Sequence, residues 1–173
     1  HIPLAAPQKM VAKYEERIDP NLTHTNATYA AMVEVADAQI GRLLAKLDEL
    51  KLAENTVVIF TSDNGGLHVR EWKGEVKATR NDPLRAGKGY LYEGGVREPL
   101  IVRWPGVVKP GAICTNVTTS VDYLPTFMEI AGVKIPTNQN VDGVSILPLL
   151  KESGQQKPRE LYWHYPHYPN QGG

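Results

Sequence analysis

The stretch NTVVIFTSDNGG, residues 55–66, decides the fold of this chain. Thr56 to Thr61 is β-branched and apolar on both faces, which is typical of a central strand in a parallel sheet. Ser62 to Gly66 is polar and rich in glycine, so a turn is predicted where the strand ends. Open α/β sheets bind their ligands at this carboxyl edge. The stretch therefore predicts an α/β fold with a polar loop at the ligand-binding edge.

Helices are predicted upstream of this strand. Between Asn26 and Leu50 the apolar residues recur at gaps of three and four, which predicts a long amphipathic helix with one buried face. Thr25 or Asn26 can cap its first turn. A shorter helix is predicted over Lys9 to Ile18. The long helix, a short link and the buried strand together form half of a βαβ unit.

Downstream of the loop, Leu100 to Trp104 predicts a second buried strand and Ile113 to Val117 a short one. Asp122 to Ala131 predicts a helix, and the polar segment Lys151 to Arg159 resembles a linker. Only two strong strands are visible, whereas a sheet commonly has about four to six. We therefore expect most of the sheet to come from chain outside this sequence.

The composition excludes several classes of function. Lys+Arg 19 balances Asp+Glu 19 among 173 residues, so no net charge steers the chain to nucleic acid or to anionic membranes. No apolar run approaches the roughly 20 residues that a bilayer span needs. The single cysteine, Cys114, excludes an internal disulfide.

Asp63 and Asn64 follow directly after the predicted strand. Their carboxylate and amide oxygens are hard ligands that suit Ca²⁺ or Mg²⁺. The alternative is a simple turn, because Asp, Asn and Gly are common turn residues. An EF-hand is excluded, because its oxygen ligands alternate over about twelve residues.

Lys88 lies between Gly87 and Gly89, so that the backbone can approach an anion closely while the ammonium pairs with it. The alternative is a solvated surface lysine. The loop does not match a Walker A motif. Near it, Arg97 is expected to pair with Glu93 or Glu98 and not with an anionic substrate.

The histidines leave two interpretations open. His1 begins an apolar segment that contains two prolines, where a structural imidazole is the default. His164 and His167 have a spacing of three that could bind a metal, but the intervening proline and aromatic residues favour a substrate rim or a packed loop. Nucleophilic catalysis has no support, because the chain has no Gly-x-Ser-x-Gly motif and Cys114 has no obvious base partner.

Taken together, these segments resemble the sulfatase family, the formylglycine-dependent sulfuric ester hydrolases of the alkaline-phosphatase superfamily. The resemblance rests on residues 55–66, on 84–105 with its GKG and EGGVREP elements, on 119–126 and 141–150, and on the His-x-Pro element at His1. It implies a sandwich fold with a central, mainly parallel sheet flanked by helices. It also implies removal of sulfate from a sulfated sugar or an aryl sulfate ester.

The resemblance assigns roles to single residues. Asp63 and Asn64 match the pair that ligates the active-site cation, usually Ca²⁺. Lys88 matches the lysine that contacts the sulfate and the leaving oxygen, and His1 matches the histidine that binds sulfate and assists the leaving group. For a sulfated sugar, further contacts are expected from loop residues at the entrance, namely His68, Arg70, His164 and His167.

The chain also departs from the family pattern. It lacks the Cys- or Ser-x-Pro-x-Arg motif of the nucleophile and the first pair of metal-binding aspartates, all of which belong to the N-terminal half of the catalytic domain. We therefore expect residues 1–155 to be the second half of that domain and 156–173 the start of the C-terminal subdomain, inactive without the missing half.

Two alternative functions remain at this point. The first is a phosphatase or phosphodiesterase of the same superfamily, and the second is a non-catalytic module that binds an anion or a glycan. By resemblance the expected location is periplasmic or secreted, or lysosomal in a eukaryote.

Overall fold

The structure is a computed structural model that describes residues 3–68, 77–152, 154 and 156–166. It divides into two compact units. One comprises His1–Ala53, Ile59–Ile101 and Tyr162–Gly173, and the other comprises Glu54–Val58 and Val102–Leu161. The division predicted at residues 155 and 156 stays a prediction.

The elements of the described residues follow one another in a mixed order. The helices are α1 Gln8–Glu15, α2 Ala27–Glu49, α3 Glu93–Val96, α4 Tyr123–Ile130 and α5 Leu147–Leu150. The strands are β1 Val58–Thr61 and β2 Leu100–Arg103, and single 3-10 turns lie at Ala53–Asn55 and Ser120–Asp122. None of the helices found in the described part of the chain is long and apolar enough to cross a membrane.

Helices α1 and α2 pack together in the first unit. Their core is formed by Val11, Ala27 and Ala31, and Lys13 Nζ lies 2.6 Å from Glu34 Oε1 at its edge. Asn26 caps α2, because its Oδ1 accepts a hydrogen bond from the Tyr29 N–H at 2.9 Å. The long helix and its cap are therefore confirmed, whereas α1 ends before the predicted Ile18.

The prediction that one whole face of α2 is buried is wrong for most of its length within the described residues. Its buried residues are Ala27 and Ala31, whereas the side chains of Val33 and Leu43 are 52% and 59% exposed. The reason is length: α1 has 8 residues and α2 has 23, so α1 covers only the beginning of the longer helix.

Strands β1 and β2 pair as a two-stranded sheet. The two main strands were thus predicted in the right places, but not their burial: Phe60 is 47% and Ile101 60% exposed. The described residues form a sheet of only these two strands, and no further layer of the described chain covers both faces of that sheet. The short strand predicted over residues 113–117 is absent there, and Ile113 is 91% exposed.

In the second unit, α4 confirms the predicted helix, and the segment before it is organised around the fully buried carboxylate of Asp122. Asp122 accepts hydrogen bonds from the backbone N–H groups of Thr119 and Val144, each at 2.9 Å. Both of its oxygens also face the guanidinium of Arg159, with Oδ1 2.7 Å from Nη1. The end of the predicted linker is therefore held firmly, contrary to the sequence-based expectation.

These contacts set the charge of Asp122. Burial alone would raise the pKa of this carboxyl, but the hydrogen bonds from Arg159, Val144 and Thr119 outweigh it and hold the pKa below its ordinary value. Asp122 is therefore ionised, and its charge is paired inside the unit.

In the first unit, two loops and helix α3 meet at backbone distance, at Gly65, Arg85 and Gly94, and this contact is called the glycine crossing. The Gly65 N–H donates to Gly95 O at 3.0 Å, and the Gly94 N–H donates to Arg85 O at 2.8 Å. A Cβ atom on Gly65 would lie 1.7 Å from Gly94 O. Side chains cannot be accommodated here, so glycine is required for the loops to approach one another.

We expect Gly65→Ala to destabilise the full-length protein by at least about 1–3 kcal/mol, because the added methyl overlaps a backbone carbonyl. Gly41→Ala is the matched control: Gly41 lies inside α2 with nothing within 4 Å of the position of a Cβ. The control should stabilise by about 0.5–1 kcal/mol through helix propensity. Chemical unfolding of both variants measures the change in the free energy of unfolding. Equal effects of the two substitutions would contradict the close packing of Gly65 on Gly94.

The pairing of Asp122 predicts a pH dependence. A carboxyl whose pKa is lowered on folding stabilises the protein above its ordinary value of 3.8, and this stabilisation is lost as the pH falls through the folded pKa. Asp122→Asn should cost about 3–5 kcal/mol near neutral pH, because Arg159 loses its partner.

The measurement is the free energy of unfolding of both proteins as a function of pH. The gap between wild type and Asp122→Asn should stay constant down to about pH 4 and shrink below it. Asp142→Asn, at an exposed aspartate, is the control and should show a small effect throughout. A gap that does not change with pH would show that the charge of Asp122 plays no part.

Candidate active site

Asp63 and Asn64 form the turn that follows β1. The Asn64 Nδ2 group donates to Asp63 Oδ1 at 3.0 Å, and Ser62 Oγ donates to Asn64 O at 2.9 Å. Asp63 is exposed and Asn64 is half-buried. The local turn predicted for these residues is therefore present, and it holds the carboxylate and the amide side by side at the end of the strand.

Lys88 is brought to this turn through its backbone. Its N–H donates to Gly66 O at 3.1 Å, while its side chain belongs to an exposed residue. The structure therefore brings the Lys88 loop and the Asp63–Asn64 turn together, although more than twenty residues separate them in sequence. The backbone contact thus places the lysine loop, with its one ammonium, next to the turn that carries the hard oxygens.

Asn81 is the residue that links these two loops through its side chain. Its Oδ1 accepts from the Gly66 N–H at 3.1 Å, and its Nδ2 donates to Gly66 O and to Ala86 O, each at 2.9 Å. No motif or spacing in the sequence pointed to this role, because Asn81 lies in a long loop without periodicity. A side chain that bonds distant backbone leaves no mark in spacing.

His68 lies against the same loop. Its ring meets Tyr90 edge to face with the centroids 5.2 Å apart, and its buried Nδ1 has no hydrogen-bond partner among the described residues. A Cβ on Gly87 would lie 2.6 Å from that nitrogen. Burial, and then the charge of Lys77, lower the pKa of His68, so the neutral ring is favoured.

Glu98 places a second carboxylate near Asp63. Its Oε1 is buried and lacks a hydrogen-bond partner in the part of the chain that the structure describes. Burial, and then the negative charge of Asp63, raise the pKa of Glu98. Arg97 does not relieve this charge, because its Nη1 lies 3.4 Å from Glu93 Oε2, as one of the two expected pairings predicted.

These oxygens fit a divalent cation. Two carboxylates that repel each other, one with an unpaired buried oxygen, and an adjacent amide are the donors that Ca²⁺ and Mg²⁺ use. Within residues 3–68, 77–152, 154 and 156–166, no three His, Cys, Asp or Glu side chains converge as a complete metal site.

The other candidate residues are spread out or not described. His164 is exposed in the segment that ends the described chain. His1, Arg70 and His167 lie outside the described residues. The structure therefore gathers Asp63, Asn64, Lys88 and His68 around the glycine crossing.

The chain was compared with known proteins. The family model described as Sulfatase matches residues 1–133. A sulfatase of Formosa agariphila is 40% identical over 181 residues, which cover 97% of this chain and 31% of that protein.

Solved structures agree. Ps i-CgsB in complex with k-i-k-neocarrahexaose superposes with a TM-score of 0.75 at 33% identity, over 88% of this chain and 32% of that one. BT4656 in complex with its substrate D-glucosamine-2-N,6-O-disulfate gives 0.66 at 27% identity, over 98% of this chain and 30% of that one.

The chain thus spans about a third of the length of the proteins it matches. The expected fold is confirmed: the described elements form part of the alkaline-phosphatase-like α/β architecture. The family model covers most of the chain, and the turn and lysine loop on which the resemblance rests lie within its match. This chain belongs to the sulfatase family.

Proposed function

We propose that this chain is part of a sulfuric ester hydrolase that removes sulfate from a sulfated sugar. The observation that carries the proposal is the junction of the Asp63–Asn64 turn with the Lys88 loop, where the Lys88 N–H meets Gly66 O at 3.1 Å. Support for a sugar comes from BT4656, whose named substrate is a disulfated glucosamine.

In this proposal Asp63 and Asn64 hold a divalent cation, Ca²⁺ or alternatively Mg²⁺. When bound, the cation neutralises charge on the sulfuryl oxygens. Glu98 supports this assignment, since a cation next to Asp63 would relieve the repulsion between the two carboxylates. Further ligands would come from sequence outside this chain.

The proposed role of Lys88 is to pair with the sulfate oxygens and the leaving oxygen. Its exposed side chain extends from a backbone that is hydrogen-bonded to Gly66, so the lysine starts from a fixed point beside the turn. His1 is proposed to bind sulfate and to protonate the departing alkoxide.

Substrate selection is assigned to the residues around this centre. His68, half-buried against the lysine loop, is proposed to contact the substrate from the inner side. Arg70, His164 and His167 are proposed contacts at the entrance. Basic groups there would pair with further sulfates on a sugar.

The nucleophile is proposed to be a formylglycine in the N-terminal half of the catalytic domain, outside this chain. On this proposal residues 1–155 complete the catalytic domain and residues 156–173 begin the C-terminal subdomain. A periplasmic, secreted or lysosomal location belongs to the same proposal.

Replacing the proposed anion-binding lysine tests the function. In the full-length protein, Lys88→Ala should lower kcat for sulfate release from a sulfated glucosamine about 100- to 1,000-fold, as expected for the loss of one preorganised group that stabilises transition-state charge. Ion chromatography of released sulfate measures this. Lys134→Ala, at an exposed lysine of the second unit, is the matched control and should leave kcat unchanged.

Three results would contradict the proposal. One is wild-type protein that releases phosphate from phosphate esters but no sulfate, which favours the phosphatase alternative. Another is near-normal kcat in Lys88→Ala. The third is a peptide map of the active natural protein in which formylglycine is absent.

Metal dependence is a separate expectation. Chelator treatment should abolish sulfate release, and Ca²⁺ should restore it. Titration calorimetry on the metal-free protein should show binding that Asp63→Ala weakens at least about tenfold, because one charged oxygen ligand is lost. Asp19→Ala, at an exposed turn aspartate of the same unit, is the control. Equal affinity in the two variants would remove Asp63 from the metal site.

A further inference from the structure

We propose that Asn81 is a positioning residue that fixes the distance between the metal-binding turn and the anion-binding lysine. The inference rests on the proposed function, since it concerns the same site. Asn81 reaches neither loop by sequence proximity: Gly66 lies 15 residues before it, and Ala86 lies five residues after it.

The three hydrogen bonds of the Asn81 side chain form a clamp. On one side its amide grips both backbone groups of Gly66, which follows Asp63 and Asn64 in the turn. On the other side it holds Ala86 O, two residues before Lys88. The Lys88 N–H also donates to Gly66 O. The same carbonyl therefore joins the turn both to the Asn81 side chain and to the backbone of Lys88.

The chemistry of the clamp requires an amide. A carboxamide has one acceptor oxygen and two donor hydrogens, and Asn81 uses its oxygen for the Gly66 N–H and its nitrogen for two carbonyls. An aspartate of the same shape could accept from Gly66 N–H but would turn an anionic oxygen toward Gly66 O and Ala86 O. The loop carrying the lysine would then be pushed away from the turn.

This arrangement separates positioning from direct catalysis. Both donor hydrogens of Asn81 Nδ2 are engaged by backbone carbonyls, and the residue is half-buried, so its donors are not available to a sulfate. Its influence on the rate must therefore pass through the position of Lys88 relative to the Asp63 turn. Misplacement of a catalytic group by about 1 Å can cost about a hundredfold in rate.

The test uses the full-length protein and the isosteric substitution Asn81→Asp. We expect kcat for sulfate release to fall about 10- to 100-fold at a temperature well below the midpoint of unfolding. Asn138→Asp adds the same charge at an exposed loop asparagine and is the matched control, with kcat unchanged. Asn81→Ala removes the three bonds without adding charge and should lower kcat in the same direction.

A double-mutant cycle distinguishes positioning from general stabilisation. If Asn81 acts through Lys88, Asn81→Asp should change kcat/KM less than about threefold when Lys88 is already alanine, although it changes it strongly in wild type. Near-ultraviolet circular dichroism of each variant at the assay temperature reports whether the protein is folded.

The outcomes are separable. Additive losses in the cycle, unchanged kcat in both Asn81 variants, or unfolding of both variants would overturn the positioning role. A wild-type protein that cleaves no sulfate ester would instead overturn the proposed function. An active wild type with non-additive losses supports both.

Discussion

The candidate site depends on one steric constraint, the close approach of the backbones at Gly65 and Gly94. Gly65 packs so closely on Gly94 that a Cβ would fall 1.7 Å from its carbonyl oxygen, and Gly94 itself approaches Ala86 O, where a Cβ would lie at 2.3 Å. Because the backbones touch directly, their hydrogen bonds join the turn after β1 to the segments on both sides of Lys88. The hard oxygens of the turn and the loop of Lys88 are thus joined through α3 by backbone hydrogen bonds.

In the second unit, a buried charge and its hydrogen bonds hold separate segments together. Asp122 is fully buried, and four hydrogen bonds join it to Thr119, Val144 and Arg159. A buried carboxylate is tolerated only when its oxygens accept hydrogen bonds. Losing any one of these partners would therefore leave part of the charge of Asp122 unpaired, at a cost in stability. The glycine crossing is fixed by sterics, whereas the Asp122 centre weakens as the pH falls through the pKa of its carboxyl. The two units therefore hold their loops by physically different means.

The sequence predicted what depends on local or periodic signals. The α2 helix follows from apolar spacing and from the Asn26 cap, and α4 from its start and stop signals. The positions of β1 and β2 follow from their β-branched runs. Asp63, Asn64 and Lys88 were identified from their neighbouring glycines and from the resemblance to the sulfatase family. The contacts that could not be predicted join residues far apart in sequence: Arg159 contacts Asp122 across 37 residues, and Asn81 contacts Gly66 across 15. The burial of the strands failed for a related reason, since it depends on layers that the described residues do not contain.

The electrostatics of the candidate site follow from unequal burial of its charged groups. Near the turn, Glu98 is partly buried beside Asp63, and burial followed by that repulsion raises the pKa of Glu98, so this end of the site favours a cation. Beside the lysine loop, burial and then the charge of Lys77 lower the pKa of His68 and favour the neutral ring, while the side chain of Lys88 is exposed. In the proposed function, a sulfate would therefore pair with the ammonium of Lys88 and not with a charged imidazole of His68. Because a neutral imidazole can donate from only one nitrogen, and Nδ1 of His68 is buried, any contact of His68 with a substrate must be made through Nε2. In the proposed function, Lys88 would thus attract the anion and His68 would contribute a hydrogen bond to the substrate.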